Sequence, residues 1–145
     1  MVAHKLNGGC HCGNILIEIE FTGVLTAYNP RVCDCDFCRK HGASYVSDPQ
    51  GALLIHIKDE RHLRKYRQGS GIADCLLCGN CGVLVAITFQ NDQQLYATVN
   101  SKAIDSGAHF GERKSVSPRK LSDGEKIERW KDNWFRNVSI KTVNA

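Results

Sequence analysis

Residues Gly8–Phe21 read GGCHCGNILIEIEF, and the two halves of this stretch carry different information. In the second half Ile15, Ile17, Ile19 and Phe21 alternate with Leu16, Glu18 and Glu20. A period of two with apolar residues on one side is the pattern of a half-buried strand. In the first half Cys10 and Cys12 sit among Gly8, Gly9 and Gly13, so the strand is entered through a flexible loop that bears two thiols. The same theme recurs along the chain. Leu53, Ile55 and Ile57 alternate with Leu54 and His56; Val83, Val85, Ile87 and Phe89 alternate before the polar turn QNDQQ, and Leu95 to Val99 then reads as the returning arm of a hairpin. Ser122 followed by Glu125 has the form of a capping box, and Ile127, Trp130 and Trp134 recur at helical spacing, which predicts one short C-terminal helix. Ser101–Pro118, rich in Gly and Ser, reads as a long loop or lid, and KDERHLRKYR (Lys58–Arg67) as a turn with solvated charges. The expectation is a single domain over residues 1–145: mainly β, with antiparallel sheets and cysteine-bearing loops at strand ends.

Composition fits that picture. A chain of 145 residues, 42% hydrophobic and 23% charged, is large enough to bury an apolar core and far from the balance of a disordered chain. No stretch approaches a membrane-spanning length, and MVAHKLNGG lacks the apolar run of a secretory signal, so a cytoplasmic location is expected. The formal charge of +4 comes from the tail. Residues 1–111 carry ten basic and ten acidic side chains, and Glu112–Ala145 nine basic and five acidic, mixed in sign. That reads as a solvated face rather than a phosphate-binding stripe, which argues against a nucleic-acid partner.

The eight cysteines fall into CHC (Cys10, Cys12), CDCDFC (Cys33, Cys35, Cys38) and CLLCGNC (Cys75, Cys78, Cys81). Closely spaced thiols in a reducing compartment are metal ligands more often than disulfides, and zinc suits a tetrahedron of thiolates; an iron–sulfur cluster is the alternative ion group. Ligand counting pairs Cys10 and Cys12 with Cys78 and Cys81 in a closed, structural four-sulfur site. Three thiols then remain at Cys33, Cys35 and Cys38, and three protein ligands with one remaining position are what a catalytic zinc needs. Two zinc ions per chain are expected. Cys75 has two competing readings: a fourth ligand that closes the second site, or a small buried hydrophobe within Ile72–Leu77.

The ordered set GGCHCG, CDCDFCRKHGA and CGNCG resembles the glutathione-dependent formaldehyde-activating enzyme family, which includes the centromere protein V type domains, over Leu6 to Val99. The resemblance implies a β-tent fold of antiparallel sheets, structural zinc on Cys10, Cys12, Cys78 and Cys81, and a catalytic zinc on Cys33, Cys35 and Cys38. Two residues depart from the family pattern: Cys75 is an extra thiol, and Leu77 stands where an aromatic commonly precedes the CxxC. The implied activity is of carbon–sulfur lyase type, the reversible joining of the glutathione thiol to formaldehyde. Small-molecule partners, a thiol such as glutathione and a small aldehyde, follow from it. Arg31, Arg39 and Lys40 are candidate anchors for glutathione carboxylates, against the plainer reading that they offset the charge of three thiolates. His11 and His41 are read as solvent-facing or structural, with proton transfer or metal binding as the rival role, and Asp34 and Asp36 as loop caps. From a different class comes a rival for the whole chain: a noncatalytic zinc-stabilised binding module with both sites closed.

Overall fold

The computed structural model describes residues 4–105 and 107–144. Eleven strands are present among them: β1 (His4–Gly9), β2 (Ile15–Phe21), β3 (Arg31–Cys33), β4 (Tyr45–Val46), β5 (Ala52–Asp59), β6 (Leu63–Tyr66), β7 (Asp74–Cys78), β8 (Leu84–Asn91), β9 (Gln94–Asn100), β10 (Lys114–Val116) and β11 (Asn137–Asn144). Two α-helices, α1 (Asp36–His41) and α2 (Asp123–Asn133), accompany them. The strands form a four-stranded sheet, β1-β2-β5-β11, and a seven-stranded sheet, β10-β3-β4-β9-β8-β7-β6. The mainly β, antiparallel-rich reading holds. Its exceptions are two parallel pairs, β10 with β3 and β11 with β5.

The alternation read at Gly8–Phe21 becomes the core. Ile15, Ile17, Ile19 and Phe21 of β2 and Leu53, Ile55 and Ile57 of β5 are all buried, and they pack against Val85, Ala97 and Val99 of the other sheet. Burying each such side chain contributes about 1.5–3 kcal/mol, so two alternating strands facing a second sheet suffice to fix the sandwich. The QNDQQ hairpin forms as expected, with β8 and β9 paired antiparallel from Ala86 opposite Val99 to Asn91 opposite Gln94.

Four regions differ from the sequence reading. Lys58–Arg67 is not a simple turn: Leu63 to Tyr66 form β6 and pair with Cys78 to Cys75 of β7, since a charged strand is tolerated at a sheet edge with one wet face. Residues 36–41 form α1, capped by the Cys35 side chain, which accepts from the Cys38 backbone N–H at 3.4 Å. The segment Ser101–Pro118 is pinned rather than free to close as a lid. Its backbone N–H groups at Asp105, Gly111 and Lys114 donate to the carbonyls of Asn7, Tyr28 and Pro30. Ser106 of that segment lies outside the described residues, as do Met1 to Ala3 and Ala145. The predicted helix exists with its capping box intact, Glu125 N to Ser122 Oγ at 3.2 Å and Ser122 N to Glu125 Oε1 at 2.9 Å. It does not end the fold. Phe135, fully buried, exchanges backbone hydrogen bonds with Ala97, and β11 then pairs with β5 of the other sheet.

Candidate metal centres and the cavity between them and the C-terminal helix

The sulfurs of Cys10, Cys12, Cys78 and Cys81 lie within 4.8 Å of one another. Cys10 and Cys12 come from the β1–β2 connection of the four-stranded sheet, Cys78 and Cys81 from the β7–β8 turn of the seven-stranded one. The cluster therefore clasps one sheet to the other. Glycine makes both loops possible: Gly13 has φ +86° and Gly82 φ +84°, conformations that side-chain-bearing residues rarely adopt. The donor set fits zinc. Neighbouring sulfurs at 3.8 Å (Cys10–Cys12) and 3.5 Å (Cys12–Cys78) match the edge of about 3.8 Å that Zn–S bonds of about 2.3 Å give a tetrahedron. Backbone N–H groups already point at these sulfurs, Ile15 N to Cys10 at 3.2 Å and Asn80 N and Cys81 N to Cys78 at 3.3 and 3.4 Å. Such donors stabilise thiolate. The Asn80 side chain and the Asn14 backbone pull the Cys12 thiol down to about 6, while burial pushes Cys10 up to about 12. Crowded thiols divided in this way lose their remaining protons when a divalent ion arrives.

The second group holds the sulfurs of Cys33, Cys35 and Cys38, again mutually within 4.8 Å. All three come from one short path: the end of β3, the residue that caps α1, and the first turn of α1. Cys33 is drawn down to about 6 by hydrogen bonding from Cys38, whose own thiol is pushed up by that same contact and by burial. Tyr45 Oη lies 3.1 Å from Cys38 Sγ and Gln68 Nε2 3.8 Å from Cys35 Sγ. The thiolate-rich set suits zinc as well. Cys75, 3% exposed, packs in the same apolar cluster as Cys33 and Cys38 and is raised to about 12 by burial, yet its sulfur is not part of the three-sulfur group. It lies on strand β7, not on a loop.

Beside the second cluster opens a cavity of about 140 Å³. Its lining includes Cys33, Cys35, Cys38 and Cys75, together with Lys126, Arg129 and Trp130 of α2 and Trp134, the residue that ends this helix. The two indole rings stack at 4.8 Å, and Trp130 meets Phe89 edge-on at 5.2 Å. Arg31 and Arg119 complete the polar part of the lining.

Residues 5–120 match the family described as "Glutathione-dependent formaldehyde-activating enzyme". The chain belongs to this family. The match runs past Val99, where the motif resemblance ends, and stops short of α2. The chain is also similar to a crystal structure of a Rhodobacter sphaeroides protein, at 26% identity, covering 77% of this chain and 100% of that one, with a TM-score of 0.58. No helix among the described residues is long and apolar enough to cross a membrane.

Against the remaining candidates the structure is selective. Arg31 is not a surface charge: it is half-buried in the cavity wall, its Nη2 donating at 2.8 Å to both Ser47 Oγ and Thr98 Oγ1. Arg39 and Lys40 are exposed on α1 and take no part in the cavity lining. His11 is exposed, and His41 is exposed against the ring of Phe37 at 4.6 Å. Asp36 sits in the first turn of α1, where a carboxylate is favoured by the helix dipole. Asp34 does not cap its own loop, where Cys35 is the N-cap: it accepts from Ser117 Oγ at 2.6 Å and Arg119 Nε at 3.2 Å, tying the Cys33–Cys38 loop to the segment after β10. Sequence reasoning missed Lys126, Arg129, Trp130 and Trp134 as site residues. The two tryptophans were visible as an apolar stripe, but nothing local says which surface such a stripe covers.

Proposed function

We propose that this member of the family is a zinc enzyme of carbon–sulfur lyase type, acting on the adduct of glutathione, or another thiol, with formaldehyde or a related small aldehyde. Cys33, Cys35 and Cys38 hold the reactive zinc, while Cys10, Cys12, Cys78 and Cys81 hold a second, structural one. The observation that carries the reading is the cavity: three mutually close sulfurs line it, so Cys33, Cys35 and Cys38 would hold a metal beside a space that a substrate can enter. A zinc ion bound by three thiolates supplies Lewis acidity and keeps a substrate thiol deprotonated near neutral pH.

The chain's own groups supply the rest. Cys33 and Cys38 are fixed by β3 and the first turn of α1, and the buried Tyr45 hydroxyl, hydrogen-bonded to Cys38 Sγ at 3.1 Å, holds that sulfur in place. Ile87, Val116 and Pro118 line the cavity with apolar surface, which limits water around the reacting atoms. The chemistry to be accelerated is balanced without a redox partner. Joining breaks the thiol S–H bond, forms an S–C bond and leaves the proton on the former aldehyde oxygen; splitting reverses each change. Free thiols at all eight cysteines suit a reducing compartment such as the cytoplasm, and residues 1–145 act as one domain.

One observation favours the noncatalytic alternative: Cys75 packs in the same apolar cluster as the trio and lines the same cavity. Exchange spectroscopy by NMR on glutathione with formaldehyde separates the two. Zinc-loaded protein should speed interconversion of free and hydroxymethylated thiol well above the spontaneous rate, and Cys35→Ser should abolish the gain. No acceleration from protein carrying two zinc ions leaves the binding module as the better reading.

A further inference from the structure

The thiols are accounted for by the proposed reaction; the cations that line the cavity with them are not. Arg31 is held by two neutral hydroxyls, which fix the guanidinium without neutralising it. No carboxylate pairs with Arg31 or with Arg129 among the described residues. Arg31 and Arg129 both line the one cavity, so their two positive charges share a confined space. Among the described residues, no Asp or Glu lines the cavity. Of its four cations Arg119 is paired with Asp34, leaving Arg31, Lys126 and Arg129. Three thiolates around a divalent ion bear one net negative charge, which balances one of those three and leaves a surplus of two.

A fold seldom retains like charges around a partly desolvated space unless something of opposite sign enters it. Guanidinium forks grip a carboxylate with paired hydrogen bonds, and Trp130 and Trp134 offer an apolar face for the carbon next to it. We propose that Arg31 and Arg129 form a carboxylate seat beside the Cys33, Cys35 and Cys38 cluster, so that α2, which lies beyond the family match, selects substrates bearing a carboxylate. As a substrate seat it rests on the three-thiol cluster being the reaction centre; as an anion seat it can be tested alone. The cavity of about 140 Å³ is close to the roughly 150 Å³ that encloses a benzene ring. Only a compact fragment is enclosed, a carboxylate and the few atoms leading to the reacting sulfur or carbon, and a tripeptide leaves most of its length outside. The carboxylate comes either from the thiol partner, as in glutathione, or from the carbonyl partner, as in a short oxo acid.

The chain has two tryptophans, and both line this cavity, so intrinsic fluorescence reports on it directly. The probes are S-methylglutathione, its diethyl ester and glyoxylate, titrated into zinc-loaded wild type, Arg129→Gln and Arg129→Lys. Arg129 lines the cavity from an exposed position on α2, so neither variant threatens the fold. The seat predicts a saturable change with S-methylglutathione or glyoxylate, weakened about tenfold or more by Arg129→Gln and restored only in part by Arg129→Lys, which returns the charge without the fork. Which of the two saturates identifies the source of the carboxylate. If the peptide probe binds, its ester must bind about tenfold more weakly; equal binding of acid and ester, or binding indifferent to Arg129→Gln, overturns the seat. The two proposals fail separately. Accelerated glutathione exchange that persists in Arg129→Gln and with the diester of glutathione leaves the reaction standing without the seat. Arg129-dependent binding without acceleration leaves the seat without the reaction.

Discussion

Cys10, Cys12, Cys78 and Cys81 reach one point from two different sheets, whereas Cys33, Cys35 and Cys38 reach theirs from six consecutive positions on one. A metal at the first point closes loops spanning most of the core, and its removal unties β2 from β8. At the second it organises only the join between β3 and α1, and its removal leaves both sheets paired. The same ligand chemistry thus serves stability where its ligands are far apart in sequence, and is free for function where they are adjacent.

The widest gap between the two should appear on removing one ligand from each. Structural zinc sites contribute about 10–16 kcal/mol of apparent binding energy in small zinc domains, so Cys78→Ser should yield insoluble protein or one without a cooperative thermal transition. Cys35→Ser should bind one zinc fewer and still unfold cooperatively, with circular dichroism close to wild type. If both variants lose the fold alike, the distinction between clasp and reactive centre is false.

Metal removal draws the same contrast more finely. A chelator should strip the ion beside the cavity first, because its ligands are three and its neighbourhood admits solvent, while the four-sulfur ion leaves only as the protein unfolds. Zinc release followed with a chromogenic chelator should show two phases, the fast one coinciding with loss of exchange activity and the slow one with loss of ellipticity. A single phase would mean that both ions are held by four ligands.

Cys75 is where that contrast is most exposed to error, and it shows how far sequence reading reaches. Metal-ligand spacing is a local property, so CHC, CDCDFC and CGNC could be grouped before any fold was known, and the structure brings together the same seven sulfurs. The alternation of β2, β5 and β8 was equally local. What stayed hidden is set by distant packing: β11 pairs with β5 across some eighty positions, and Arg129 comes to Arg31 across nearly a hundred. The tail looked like a solvated face because its charges are mixed in sign, and sign says nothing about which side of α2 meets a cavity. Cys75→Ala should retain two zinc ions and full exchange activity, losing about 1 kcal/mol from the small hole it leaves under β7. A fall to one zinc would make Cys75 the fourth ligand and close the reactive site.

The smallest effect expected is at Arg39 and Lys40, and it tests which side of the three-thiol cluster faces a substrate. Both directly follow Cys38 in sequence and carry the same charge as Arg31, so proximity along the chain gives them an equal claim on a carboxylate. They differ in direction: Arg31 leans into the cavity wall, while Arg39 and Lys40 stand exposed in the last turn of α1. There they interact favourably with the carboxyl end of a six-residue helix, an effect of a few tenths of a kcal/mol that salt screens. Arg39→Ala and Lys40→Ala should each change stability by no more than about 0.5 kcal/mol and leave exchange rates and probe binding at wild-type values. Weakened binding of a carboxylate probe in these variants, with Arg129→Gln silent, would mean that the anion approaches over α1, and the wall built by α2 would then be packing alone.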